Sequence, residues 1–156
     1  MSGHDQWMAI AIEEARLGAA GGEQPFGSAI VRDGALICRS RSLKVSTSDT
    51  TAHSELLAVR AATQKLNRRV LDGCVFYATC EPCPMCLGAI LNAGINHLVI
   101  GARKIQVRQF STTAFRFSHY TVERFADMVG WPLTVEQALQ EQCVALYAHA
   151  TIELTR

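Results

Sequence analysis

The chain has 156 residues, 49% hydrophobic and 19% charged, with a formal net charge of +1. Such a length reads as one domain over residues 1–156 with enough buried surface for a core, and the composition excludes disorder. The charge lacks the basic excess of a dedicated polynucleotide binder, so nucleic acid is disfavoured as a partner.

In chain order, the first segment has neither the basic start nor the apolar run of an export signal. No stretch approaches 18 unbroken apolar residues, which argues against a membrane span. The six cysteines therefore read as thiols and metal ligands of a cytoplasmic protein, not as disulfides. Met8, Ala11, Ile12, Ala15 and Leu17 fall close to helical spacing and predict an amphipathic helix over 5–20, ended by Gly21-Gly22. Phe26 to Val31 and Leu36 to Cys38 flank Asp33-Gly34, a hairpin signal. Residues 39–50 show no period and read as a loop. Thr50 or Thr51 caps a second helix running to Leu66, with Ala52, Leu56, Val59 and Leu66 near one face. Asp72-Gly73 turns into a strand over 75–78, and Pro82 and Pro84 open a third helix through Leu91, stopped by Gly94. Leu98 to Ile100 is the next strand, parallel to the one before. The tail reads as a helix from Thr121 to Val129, a strand over 133–135 and a helix from Glu136 to Ala148. A hairpin followed by βαβ predicts an α/β fold, a mixed sheet with helices on both faces.

Two short strings carry the chemistry: His53-Ser54-Glu55 and Pro82-Cys83-Pro84-Met85-Cys86. His53 and Glu55, two apart, share a site only if it lies beyond the helix N-terminus, where first-turn side chains lean. Cys83 and Cys86 are three apart at the start of their own helix, on one face. Two helix N-termini then converge on a point, and their dipoles favour thiolates there. One imidazole and two thiolates are a zinc ligand set with an open position for a water whose pKa falls to about 7. Glu55 is not needed as a ligand and can shuttle that water's proton. Spaced in this way the strings match a known signature of zinc deaminases. A rival reading adds Cys80 to make a closed Cys₃His structural site, which could activate no water. An iron–sulfur run would want a cysteine where Ile90 stands.

Thr51-Ala52-His53-Ser54-Glu55 and the run from Thr79 to Ile90, with Pro25-Phe26-Gly27 and Gly101-Ala102, resemble the cytidine-deaminase-like superfamily. The branch they resemble holds guanine deaminase, fungal cytosine deaminase and the tRNA adenosine deaminases. The resemblance covers about residues 5–104. It implies a three-layer α/β/α sandwich with a mixed, about five-stranded sheet, Zn²⁺ held by His53, Cys83 and Cys86, Glu55 as proton shuttle, and usually a homodimer. It also places Phe26, Ser42, Ala52 and Ser54 on the substrate side. Ser54 replaces the family's usual Ala, and Ser42 its usual Asn eleven positions ahead of the zinc His. Arg103-Lys104-Ile105-Gln106-Val107-Arg108 replaces the loop of the tRNA enzymes, and no acid stands near Gln106 where guanine deaminase has one.

The implied activity is zinc-dependent hydrolytic deamination of a free nucleobase, a nucleoside or a related amino-substituted heterocycle, a purine such as guanine favoured. Editing of adenosine in tRNA and a non-catalytic zinc-stabilised binding module are the alternatives. Arg103, Lys104, Arg108 and Arg116 interleave with Phe110, Phe115, Phe117 and Tyr120. They are either a single-strand stacking surface or a loop packed on the pocket or a second subunit, and the near-neutral charge favours the latter. His4, His97, His119 and His149 have no ligand-like neighbours and read as surface or packed residues.

Overall fold

A computed structural model describes residues 3–110 and 117–148. Its helices are α1 (Asp5–Ala20), α2 (Lys44–Thr47), α3 (Ser54–Leu66), α4 (Pro84–Asn92), α5 (Lys104–Val107), α6 (Val122–Met128) and α7 (Gln140–Ala148). The strands β1 (Gly27–Arg32), β2 (Ala35–Arg41), β3 (Cys74–Cys80), β4 (His97–Ala102) and β5 (Thr134–Gln137) form one sheet in the order β2-β1-β3-β4-β5. β1 runs antiparallel to β2 and β3, and β4 and β5 run parallel to β3. This is the expected mixed five-stranded α/β sheet.

The hairpin forms at Asp33-Gly34, whose φ angles of 50° and 71° are both in the left-handed region that a type I′ turn requires. β2 continues to Arg41, beyond the expected end at Cys38, and residues 44–47 form α2, so the expected loop over 39–50 is largely ordered structure. Ion pairs from β2 to α1 accompany the extension. Arg39 and Arg41 both reach the buried Glu14 of α1, at 3.0 and 2.8 Å, and the strand follows its side chains. Glu14 takes a place on the inner face that the spacing gave to Leu17, which is exposed. α1 packs so closely on the start of β1 that a Cβ on Gly27 would lie 1.9 Å from the Ala11 carbonyl oxygen. Only glycine admits that approach.

Two apolar clusters sandwich the sheet. One joins Ala58 and Ala62 of α3, Leu87 and Ile90 of α4 and Val122 to Ile30, Phe76, Leu98 and Ile100. The other joins Met8 and Ala11 of α1 and Cys143 and Tyr147 of α7 to Ala29, Tyr77 and Val99. Helices thus cover both faces, giving the three layers expected. The tail's strand is β5 at 134–137 instead of 133–135, and its last helix starts at Gln140, because residues from 134 pair with β4 from His97 onward. Among the described residues no helix is long and apolar enough to cross a membrane.

Candidate metal centre

α3 begins two or three residues later than a cap at Thr51 or Thr50 would have it. Asp49 captures Thr51 instead, accepting from its backbone N–H at 2.8 Å and its hydroxyl at 2.7 Å, so Thr51 belongs to a turn. His53 is the N-cap residue of α3 and makes no side-chain cap hydrogen bond. Cys83 is likewise the uncapped N-cap of α4, with Pro84 fixing the first helical φ. Two helix N-termini are left pointing at one place, as the motif spacing required. His53 Nδ1 lies 3.8 Å from Cys83 Sγ and 3.5 Å from Cys86 Sγ, and the three ligand atoms sit within 4.8 Å of one another. An imidazole and two thiols at these separations are the donor chemistry of a zinc site with three protein ligands.

The electrostatics suit a cation. Cys83 is pulled down to about 4, first because Cys86 donates a hydrogen bond to it, with His53 adding to the effect against the opposing influence of burial. Cys86 is pushed up first by the hydrogen bond it donates to Cys83 and then by burial, so the pair holds one proton between them that a dication displaces. Cys80 is not part of the cluster. It is buried with Met8, Tyr77 and Cys143 on the α1 and α7 side, where burial pushes its thiol up to about 12. The closed Cys₃His reading therefore lacks its fourth ligand.

Glu55, 5% exposed, stands beside the cluster, and burial is the first cause of its raised pKa, with the Cys83 charge second. Its position is held from below. Ser54 donates to Glu55 Oε2 at 3.2 Å, which spends its one hydroxyl proton, so Ser28 is the donor in the 2.9 Å contact with Ser54. Ser40 in turn donates to the Ser54 carbonyl. Of the other substrate-side expectations, the Phe26 ring packs on Tyr147 with centroids 5.3 Å apart, and Ser42 and Ala52 are buried next to α2. The Ser42 hydroxyl faces the Lys44 N–H at 3.4 Å, and the Ala52 carbonyl accepts from the Leu43 N–H at 3.0 Å.

Sequence reasoning gave no role to Glu81, which lies inside the second motif. Its carboxylate, 3% exposed, accepts from the backbone N–H of Lys104 at 3.0 Å and of Val122 at 3.1 Å, and from Arg103 at 3.3 Å. One side chain thus pins the starts of α5 and α6 to the strand that carries the site. An acid directly before Pro82 was the only available signal. Glu81→Ala should orphan two buried donors and cost ~2–6 kcal/mol, at ~1–3 per group, read as a lowered urea midpoint at unchanged slope.

The segment over 103–120, expected as a loop, contains α5 and a 3₁₀ turn at Arg108–Phe110. Tyr120 donates to the Pro82 carbonyl at 2.7 Å and packs against Phe117 and Phe125, whereas Phe110 and Phe117 are themselves exposed, at 38% and 47%. Arg103 is engaged by Glu123 at 2.7 Å as well as by Glu81. Phe115, Arg116 and His149 lie outside the described residues. His4 and His97 are corrected: both have a ligand-like neighbour in space, Glu136.

Sheet, helices and donor set together define a zinc-site α/β fold of the deaminase type. The chain belongs to the cytidine and deoxycytidylate deaminase zinc-binding family, whose family model matches residues 1–102. It is 46% identical over 81 residues to a guanine deaminase of Bacillus subtilis (strain 168), covering 52% of this chain and 50% of that one. To a tRNA-specific adenosine deaminase of Aquifex aeolicus (strain VF5) it is 35% identical over 100 residues, covering 64% and 66%. The matched stretch thus spans half to two thirds of these relatives' lengths. A solved guanine deaminase from Nitrosomonas europaea superposes with a TM-score of 0.81 at 26% identity, covering 94% of this chain and 84% of that one.

Proposed function

We propose that this protein is a hydrolytic deaminase of a small amino-substituted heterocycle, a free nucleobase or nucleoside, with an aminopurine such as guanine favoured. The observation that carries this is the buried Glu55 carboxylate, positioned by Ser54 beside a His53–Cys83–Cys86 donor set. The net reaction exchanges a ring-bound amino group for oxygen: water enters, the carbon–nitrogen bond breaks, and ammonia leaves. Zinc, when bound by His53, Cys83 and Cys86, supplies a water acidic enough to lose a proton near neutral pH. Glu55 takes up that proton and gives it to the ring nitrogen, then carries a second proton, from the newly formed C–OH group, to the departing amine. Burial removes competing water from around Glu55, and the Ser28–Ser54 relay keeps one carboxylate oxygen fixed. Ser54 in this reading serves Glu55 and not the substrate, while Phe26, Ser42 and Ala52 line the approach to the centre.

Adenosine in tRNA is the rival substrate, supported by a relative of similar identity. Against it stands Arg103, whose guanidinium is already held by Glu81 and Glu123. The deciding experiment is an ammonia-release screen over aminated purines, pyrimidines and their nucleosides, run beside tRNA binding at several salt concentrations. Ammonia from a small heterocycle, with tRNA affinity weak at every salt, is the expected result. Inosine formation in tRNA, with log affinity falling by ~0.7–0.9 per phosphate contact against log salt, would promote the rival. Release of ammonia from neither class would leave a zinc-stabilised binding module.

A further inference from the structure

At the other end of the parallel strands, three residues remote in sequence meet. His4 is the N-cap residue of α1, His97 opens β4, and Glu136 lies on β5 opposite Val99. Residues two apart on a strand share a face, so His97 and Val99 point the same way, and Glu136 beside Val99 joins them. That is the face on which α1 lies, and α1's start brings in the third side chain. His97 pairs with Val75, and Cys80 is five residues further along β3, a separation of roughly 16 Å along the strand. The cluster is thus distinct from the His53–Cys83–Cys86 centre.

We propose that His4, His97 and Glu136 form a second metal site, for a borderline first-row divalent cation of which Zn²⁺ is the type. Both imidazoles present the same atom to the same oxygen: Nε2 of His4 lies 3.1 Å and Nε2 of His97 2.5 Å from Glu136 Oε2. All three ligand atoms fall within 4.8 Å of one another. Around a tetrahedral ion with bonds of 2.0–2.1 Å, ligand atoms stand ~3.3 Å apart. His4 and Glu136 are already close to that spacing, and the His97 contact needs to open by less than ~1 Å. The groups are 27%, 30% and 46% exposed, which leaves room for that rotation and a path for a hydrated ion.

The surroundings resemble those of a built ligand set. His4 Nδ1 is 2.9 Å from the hydroxyl of the buried Tyr77. Burial, with the Glu136 charge second, pushes Tyr77 up to about 12, so its hydroxyl keeps its proton. That neutral hydroxyl can donate to Nδ1 while His4 gives its Nε2 proton to Glu136. It can equally accept from Nδ1 once Nε2 binds a cation, which fixes tautomer and ring orientation as supporting groups around metal-bound histidines do. Two nitrogens and one carboxylate favour Zn²⁺ and its transition-metal neighbours over Mg²⁺ or Ca²⁺, which want oxygen. A cation held here would clip the start of α1 to β4 and β5.

Equilibrium dialysis of the zinc-loaded protein against added Zn²⁺ tests this. Uptake of a second equivalent is expected, with His97→Ala and Glu136→Gln each losing it and keeping the first. Tyr77→Phe should bind the second equivalent ~10–100-fold more weakly. Zn²⁺ beyond the first equivalent should raise the Tm of the wild-type chain and not that of Glu136→Gln, a variant of unchanged size that serves if His97→Ala folds poorly. Cys83→Ala should lose the first equivalent and keep the second. A zinc-loaded wild-type chain that takes up no further metal, or a Glu136→Gln variant that takes it up as the wild type does, would overturn the proposal and leave a hydrogen-bonded tie between helix and sheet.

Discussion

Glu55→Gln is expected to fold, to retain one zinc per chain at the His53–Cys83–Cys86 centre and to bind substrate with little change, yet to lose at least ~10²-fold in kcat. That factor is the lower end of what a positioned acid or base contributes. The reasoning is geometric. Glutamine matches glutamate in size and keeps an oxygen for the Ser54 hydroxyl, now 3.2 Å from Glu55 Oε2, so the Ser28–Ser54 arrangement survives. What the amide cannot do is accept a proton and give it back. A substitution that preserved volume and contacts but removed only proton exchange would therefore separate the chemical step from binding and folding. Loss in kcat with KM retained is the pattern of a group that acts in the transition state. Near-normal turnover in Glu55→Gln would remove the proposed shuttle. Loss of zinc in the same variant would instead place Glu55 among the metal's ligands.

Much of this centre was legible in the sequence because its determinants are local. Pro84 next to Cys83 announces a helix start, the three-residue spacing of Cys83 and Cys86 sets both on one face, and Asp33-Gly34 fixes the hairpin that precedes them. Each inference needs only a few neighbouring residues. Errors arose where a distant partner decides. Leu17 fits the helical period, but Glu14 occupies the inner face since Arg39 and Arg41 meet it there. Thr51 is a good capping residue, but Asp49 takes both its donors and the helix starts at Ser54. His4, His97 and Glu136 are 93 and 39 residues apart, and only the register of β4 on β5 and the placement of α1 bring them together. No short-range pattern encodes such a meeting. Glu81 failed for a related reason: its partners are backbone N–H groups 23 and 41 residues downstream, and backbone donors leave no trace in residue identity.

Cys83→Ala or Cys86→Ala should abolish both the zinc of the main centre and turnover, whereas Cys80→Ser should keep both. The three cysteines look equivalent in the repeat Cys80-x-x-Cys83-x-x-Cys86, and the fold divides them. Cys83 and Cys86 belong to the start of α4 and face His53. Cys80 ends β3 and is buried with the α1 and α7 residues on the other side of the sheet. Its thiol, pushed up to about 12 by burial, stays protonated and behaves as a small apolar group, whereas thiolates are what bind zinc. Serine at 80 costs some packing but removes no ligand. Removing Cys83 or Cys86 leaves two donors, too few to hold the cation that their charges attract. Metal content by elemental analysis, read beside ammonia release, separates the two cases. Zinc lost from Cys80→Ser would mean that the side chain turns inward to complete a four-ligand site, with no coordination position left for water and no route to the proposed reaction.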